Sequence, residues 1–178
     1  MRNGEMDKEM NAGEVFNIRP ALESECGLIL NFIKELAEFE KLLHEVEATE
    51  EMIRKNIFEK RIAEVIFAEL NGEPVGFALF FHNFSTFVGK PGIYLEDLYV
   101  KPEYRGKGIG KGLLIYLARL AKERGCGRFE WAVLNWNEKA ISFYRSLGAK
   151  PMNEWTVYRL DGMELDKVAS LPGSGNSK

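Results

Sequence analysis

The chain has 178 residues, 46% of them hydrophobic, which is enough for one sizeable core and too few for two ordinary domains. Lys and Arg number 24 against 27 Asp and Glu, a formal net charge of −3. That balance argues against a nucleic-acid-binding domain, which normally carries a net basic surface, and favours a cationic partner. The two cysteines, Cys26 and Cys126, form no CxxC pair, and His44 and His82 stand in no metal-ligand spacing, so no structural metal and a reducing compartment are expected. No apolar run approaches the ~20 residues of a membrane span. The opening "MRNGEMDKEMNAGE" lacks the apolar centre of a signal peptide. These features predict a soluble cytoplasmic protein that binds neither membrane nor nucleic acid.

Residues 1–14 are polar without periodicity and 169–178 are rich in Gly, Ser and Pro. Both are expected to be mobile tails around a single domain over 15–168. In chain order, "VFNIRPA" predicts a short strand stopped by Pro20. Leu22, Cys26, Ile29, Leu30, Ile33, Leu36 and Ala37 then recur at helical spacing, and a second, shorter helix follows near Thr49 to Phe58. "RIAEVIFAEL" and "PVGFALFFHNF" flank the turn "NGE", a hairpin signal, and "GIYLEDLYV" is the next strand. Leu113, Leu114, Leu117, Leu120 and Ala121 stripe one side of a helix that ends at Gly125. "CGRFEWAVL" predicts a strand, Asn137 caps a helix over Glu138 to Leu147 that Gly148 ends, and "WTVYRLDG" predicts a last strand. The order β, α, α, β, β, β, α, β, α, β implies an α/β fold with a mixed sheet and helices against it.

The turn "RGKGIG" joins the "YLEDLYV" strand to the leucine helix. Its glycines let the backbone approach a diphosphate, and the first helical N–H groups and the basic side chains favour an anion. The spacing is neither that of a Walker A loop nor that of a dinucleotide fingerprint. Taken alone, the turn is equally a tight strand-to-helix connection with solvated cations.

Its neighbours make it specific. "LYVKPEYRGKGIGKGLL" resembles the acyl-CoA pyrophosphate loop of the GNAT superfamily of N-acetyltransferases, [QR]-x-x-G-x-[GA], with Arg105, Gly108 and Gly110 in those positions. "YLEDLYV", "LNWNEKAISFYRSLGA", "NIRPA" and "FIKELAEFEK" resemble its diamine (spermidine/spermine) and thialysine acetyltransferase branch, over most of residues 16–160. The resemblance implies a GNAT fold, a mixed and mostly antiparallel twisted sheet flanked by helices, and direct acetyl transfer from acetyl-CoA to a primary amine of a small molecule. It also implies a homodimer.

Acetyl transfer to an amine needs a deprotonated nitrogen, a polarised carbonyl and a proton for the leaving thiolate. The resemblance assigns Glu96 as base, directly or through water, and Tyr144 as acid. A phenol with a pKa of about 10 can serve a thiolate whose conjugate acid is near 8.5. On spacing alone Tyr144 is a core or boundary aromatic. Adjacent strand residues point to opposite faces, so only one of Glu96 and Asp97 is expected to face a given site, and Asp97 is expected to be a surface or hydrogen-bonded carboxylate.

The family positions assign Leu98, Tyr99 and Val100 to the pantetheine arm. They assign Arg105, Gly106, Lys107, Gly108, Ile109 and Gly110 to the pyrophosphate, and Asn137, Glu138, Lys139 and Ala140 to the outer edge of the cofactor. Phe39, Glu40, Glu96, Glu130, Trp131 and Ala132 match the amine site. The glutamates between Glu23 and Glu51 could attract a cation, although a solvated helix face explains such a run more often. Polyamine-specific members carry an acidic residue in the loop before "YLED", where this chain has Ser85, Thr86 and Phe87. The expected acceptor is therefore a small primary amine or diamino acid.

His44 and His82 pair with no nucleophile and are expected to be structural. Cys126 is expected to be a buried, inert thiol. Trp131, Trp136 and Trp155 are expected to pack in the core and site wall. The competing functional class is a silent acyl-CoA-binding regulatory domain, which would keep the glycine turn and lose the acid or the base.

Overall fold

In the computed structural model, which describes residues 16–173, the sheet is organised around the Asn71-Gly72 turn. Both residues have positive φ, 53° and 81°, the conformation a two-residue hairpin turn needs to match the twist of its strands. The turn joins β2 (Glu64–Leu70) to β3 (Glu73–Ser85), with Leu70 opposite Glu73. β1 (Phe16–Pro20) pairs with β2, and β4 (Lys90–Val100) pairs with β3, all antiparallel. β5 (Arg128–Trp131) pairs parallel with β4, giving the order β1-β2-β3-β4-β5.

Helices cover this open sheet on both faces. α1 (Cys26–Glu40) and α2 (Glu50–Ile53, continued by a π-turn over Arg54–Glu59) lie on one face. There Phe32 packs its ring 5.6 Å from Phe67 and 5.2 Å from Phe77, within a cluster that includes Ile29, Ile53, Val65 and Tyr99. Each such fully buried phenylalanine contributes about 1.5–3 kcal/mol. α3 (Ile109–Glu123) lies on the other face and buries Leu113, Leu114, Leu117 and Ala121, with Leu120 half-buried. Gly112 permits the close approach of β1, since a Cβ there would stand 2.4 Å from the Phe16 ring. α3 stops at Gly125, whose φ is 68°, and the Cys126 N–H returns to the Ala121 carbonyl at 2.8 Å.

The chain divides into two compact units, Met1–Ala132 and Val133–Lys178. The expected domain, 15–168, spans parts of both, and the expected tails lie outside the described residues except for 169–173. The second unit holds α4 (Glu138–Ser146) and α5 (Gly162–Ala169). Asn137 caps α4 as expected, its Oδ1 accepting the Ala140 N–H at 3.2 Å, and Gly148, with φ 85°, ends it. The expected strand at "WTVYRLDG" is not formed. Residues 155–160 are rich in strand-favouring Trp, Thr, Val and Tyr but pair with no strand among the described residues. A strand requires a partner's backbone as well as its own pattern. Trp136 and Trp155 are 55% and 71% exposed rather than core, and Cys126 is half-buried rather than buried. His82 lies on β3 beside the Arg124–Glu64 ion pair, and His44 beside Glu45.

Candidate active site

The ladder between β3 and β4 changes register once. Leu79 faces Asp97, whereas the next residue of β3, Phe80, faces Leu95. Glu96 is the extra residue, a β-bulge, and a bulge resets the alternation of side chains along its strand. Beyond it, Tyr99 lies opposite Phe77 and belongs to the α1-side core, so Asp97, two residues away, shares that face. Before it, Tyr94 lies opposite Phe81, on the same face of β3 as Phe77, with the two rings 5.2 Å apart, and Glu96 follows Tyr94 by two. Leu95 and Leu98, three residues apart, both turn to the α3 face. Leu98 there comes within 3.7 Å of where a Gly110 Cβ would stand. The expectation that Glu96 and Asp97 occupy opposite faces is therefore corrected: the bulge sends both toward the α1 side.

The bulge also ends the pairing with β5. Leu95 opposite Trp131 is the last pair of the parallel ladder, so among the described residues β3 is the only strand neighbour of β4 from Glu96 to Val100. A strand edge of this kind can take an extended partner that carries amide groups. Leu98, Tyr99 and Val100 lie along it.

The glycine turn follows. Gly106 and Gly108 have φ of 81° and 79°, and no atom lies within 4 Å of the position a Cβ would occupy at either. They serve backbone conformation on an open face rather than packing. The N–H groups of Ile109, Gly110 and Lys111 precede the first intrahelical bond, from Gly112 N–H to the Gly108 carbonyl at 2.9 Å, so they are available to an anion. Arg105 donates from Nε to the Val100 carbonyl at 2.8 Å, with its guanidinium 4.6 Å from the Phe39 ring centroid and 5.2 Å from that of Tyr99. One side chain thus ties the turn to the end of β4 and the end of α1. Lys107 lies over the Tyr104 ring at 5.4 Å. These residues fit a thioester cofactor with a diphosphate and an amide-bearing arm: an open glycine cradle, basic side chains and an unpaired strand edge.

The carboxylates set the electrostatics. Burial pushes Asp97 up to about 6, and the like charges of Glu96 and then Glu40 add to it. Burial also raises Glu40, which is half-buried at the end of α1. Glu96 is exposed. The expectation of an ordinary surface or hydrogen-bonded carboxylate at Asp97 is not met: it is half-buried and has no hydrogen bond or ion pair among the described residues. Tyr94 is raised by burial and then by Glu96 and Glu130.

Glu130 is already engaged. Its Oε2 accepts from Asn83 Nδ2 at 2.8 Å and stands 2.8 Å from Arg128 Nε. This strap crosses β4 at Gly92, where a Cβ would stand 2.3 Å from Asn83 Oδ1. Trp131 packs on Phe129 at 4.9 Å, and Ala132 follows β5. In the second unit, Asn137 to Ala140 form the capped start of α4, and Tyr144 lies on the same helix beside Phe143, ring centroids 5.6 Å apart. Burial raises the Tyr144 phenol. Among the described residues no group of three or more His, Cys, Asp and Glu could hold a metal, and no helix is long and apolar enough to cross a membrane.

Residues 30–149 match the acetyltransferase (GNAT) family. The chain is 42% identical to the thialysine N-epsilon-acetyltransferase of Sus scrofa, over 85% of this chain and 96% of that one. It is 39% identical to the Caenorhabditis elegans enzyme of the same name, over 86% and 97%. A human spermidine/spermine N(1)-acetyltransferase-like protein is 32% identical over 88% of this chain and 24% of its own length. Among solved structures, an integron cassette protein of V. cholerae superposes with a TM-score of 0.75 at 28% identity, covering 88% of this chain and 98% of that one. The chain therefore belongs to the acetyltransferase (GNAT) family, in its diamine and thialysine branch, and is an acetyl-CoA-dependent N-acetyltransferase.

Proposed function

We propose that the chain acetylates a primary amine of a small molecule, a thialysine- or lysine-like diamino acid or a short diamine. The observation that carries this is the 42% identity, over nearly the whole of the relative, to enzymes named thialysine N-epsilon-acetyltransferase. The β3–β4 connection supports it, since Ser85, Thr86 and Phe87 offer no carboxylate to a long polycation.

Bound acetyl-CoA supplies an acetyl group activated as a thioester. The backbone of Leu98, Tyr99 and Val100 would align its arm along the unpaired edge of β4. Arg105 to Gly110 would hold the diphosphate with N–H groups and charge, and Asn137 to Ala140 the outer edge. Phe39 and Glu40 at the end of α1, with Trp131 and Ala132, would receive the cationic acceptor. Glu130, held by Asn83 and Arg128, would contribute mainly through its backbone.

The ammonium must lose a proton before its nitrogen can attack, and Glu96, reached directly or through water, would take it. Tyr144 would carry on Oη the proton that the departing sulfur takes up. A phenol raised by burial keeps that proton until a strong base forms nearby. The enzyme is proposed to act as a cytoplasmic homodimer, on the family expectation.

Free-thiol release from acetyl-CoA, measured with thialysine, lysine, putrescine, spermidine, an aminoglycoside and a peptide, tests the acceptor class. Turnover is expected on the diamino acids and short diamines. Acetylation of protein N-termini alone would sink the proposal.

A further inference from the structure

The bulge leaves a second carboxylate beside Glu96 that the proposed roles do not use. Past Leu95 and Trp131 the parallel strands no longer pair, and Asp97 is the first half-buried side chain of β4 beyond that point on the α1 side. Glu96, the bulged residue, is exposed. A carboxylate that accepts a proton from an ammonium group does so more readily when it is poorly hydrated and unpaired, because its charged form is then the less stabilised one.

We propose that Asp97 is a catalytic residue of the acetyl transfer, the carboxylate that receives the acceptor's ammonium proton, with Glu40 at the end of α1 as a positioning residue beside it. This rests on the reading of the chain as an amine acetyltransferase and differs from it in which carboxylate finally holds the proton. An N–H bond of the ammonium breaks and its electron pair stays on nitrogen. An O–H bond forms on Asp97, directly or through Glu96, and the acid returns the proton to bulk water after transfer.

The groups facing Asp97 keep it in a field of like charge. The charged groups that act on it are Glu96 from β4 and Glu40 from the end of α1. Its partner on β3 is the apolar Leu79. His82 turns to the opposite face with Arg124 and Glu64. Cations on this side are Arg105 over Tyr99, Lys101 over Phe32 and Arg19 over Phe67, the last of these held by Glu25 and Glu69. Asp97's displacement toward about 6 agrees with this arrangement.

The test is the pH dependence of kcat/KM for thialysine between about pH 5 and pH 9 in the wild type, Asp97→Asn, Glu96→Gln and Glu40→Gln. The KM for acetyl-CoA and the melting temperature are followed in parallel. The wild type is expected to show an acid limb near 6. Asp97→Asn should lose that limb and about 100-fold or more in kcat, with the acetyl-CoA KM unchanged. Glu96→Gln and Glu40→Gln should keep the limb and move it to lower pH, a shift that a purely structural role would not produce. An unchanged limb in folded Asp97→Asn, or its disappearance in Glu96→Gln alone, would overturn the proposal while leaving the acceptor reading intact. A wild type that turns over none of the amines would overturn both.

Discussion

Glu96 and Asp97 are neighbours in sequence and project from the same face of β4, because Glu96 is the extra residue of a bulge between Leu79 and Phe80 of the facing strand. Two like charges side by side, one of them half-buried, are costly to the fold. That cost has a measurable sign. Asp97 has a folded-state pKa of about 6 against an ordinary 3.8, so the folded state binds the extra proton and stability rises as pH falls through that window. At neutral pH the ionised group destabilises by up to about 3 kcal/mol. Asp97→Asn is therefore predicted to melt several degrees higher than the wild type at pH 7 while being the less active protein. Scanning calorimetry at pH 7 and pH 5 should show the difference shrinking in acid.

The acid-stability profile has a second component of opposite sign. Arg19 binds Glu25 at 2.7 Å and Glu69 at 2.7 Å, and Arg124 binds Glu64 at 2.7 Å. These partners hold Glu25 and Glu64 below the ordinary 4.5. Depressed carboxylates stabilise above the unfolded pKa, and that contribution is lost as pH falls through the folded one. The melting temperature should hold or rise slightly from pH 6 to about 4.5 and fall below it. Arg19→Met, which removes one of these clusters, should melt lower at neutral pH and show a shallower acid decline.

Two glycines on α3 should separate packing from cofactor binding. At Gly112 a new methyl would stand 2.4 Å from the Phe16 ring. Gly112→Ala should cost about 1–3 kcal/mol by overpacking and leave the acetyl-CoA KM of the remaining folded enzyme close to normal. At Gly110 the methyl would meet Leu98 at 3.7 Å and Val100 at 3.8 Å, ordinary contacts. Gly110→Ala should thus keep or gain up to about 1 kcal/mol of stability from helix propensity, yet raise the acetyl-CoA KM by crowding the N–H face of the helix start. Thermal melts and initial-rate kinetics on the two variants give the contrast.

Arg105 ties together the parts of the proposed cofactor and acceptor sites. Its guanidinium lies over Phe39 and Tyr99 while Nε holds the Val100 carbonyl. A lysine keeps the charge and loses the planar stack and the directed Nε bond. Arg105→Lys should raise the KM for acetyl-CoA and for the amine together, each by roughly 3- to 30-fold, the scale of a cation–π contact of about 0.5–2 kcal/mol. An effect confined to acetyl-CoA would mean that Phe39 does not depend on this contact to shape the acceptor site.

Much of this fold was legible because local signals agree with the tertiary result. Asn71-Gly72, Asn137, Gly125 and Gly148 each act through backbone geometry within a few residues, and each does in the structure what its chemistry predicts. The family motif was legible for the same reason, since "RGKGIG" is one contiguous turn. What alternation could not foresee was the bulge, which depends on the register of a facing strand. One sign of it was present in "YLEDLYV": Leu95 and Leu98 are three apart, and both can reach the α3 face only if one residue is extra. Glu130's engagement by Asn83 and Arg128 depends on side chains 47 residues apart meeting over Gly92, which no local pattern encodes. The expected strand at residues 155–160 fails in the other direction, since Trp155, Thr156, Val157 and Tyr158 all favour strands and yet form none.

The measurement that most directly tests the central claim is product identification by mass spectrometry after incubating the enzyme with acetyl-CoA and thialysine, alongside Tyr144→Phe. One acetyl group on the side-chain amine, formed in step with free thiol and reduced about 100-fold or more in the variant, is the predicted result. Thiol release with no acetylated amine, or an acetylated amine formed equally well by Tyr144→Phe, would contradict the account.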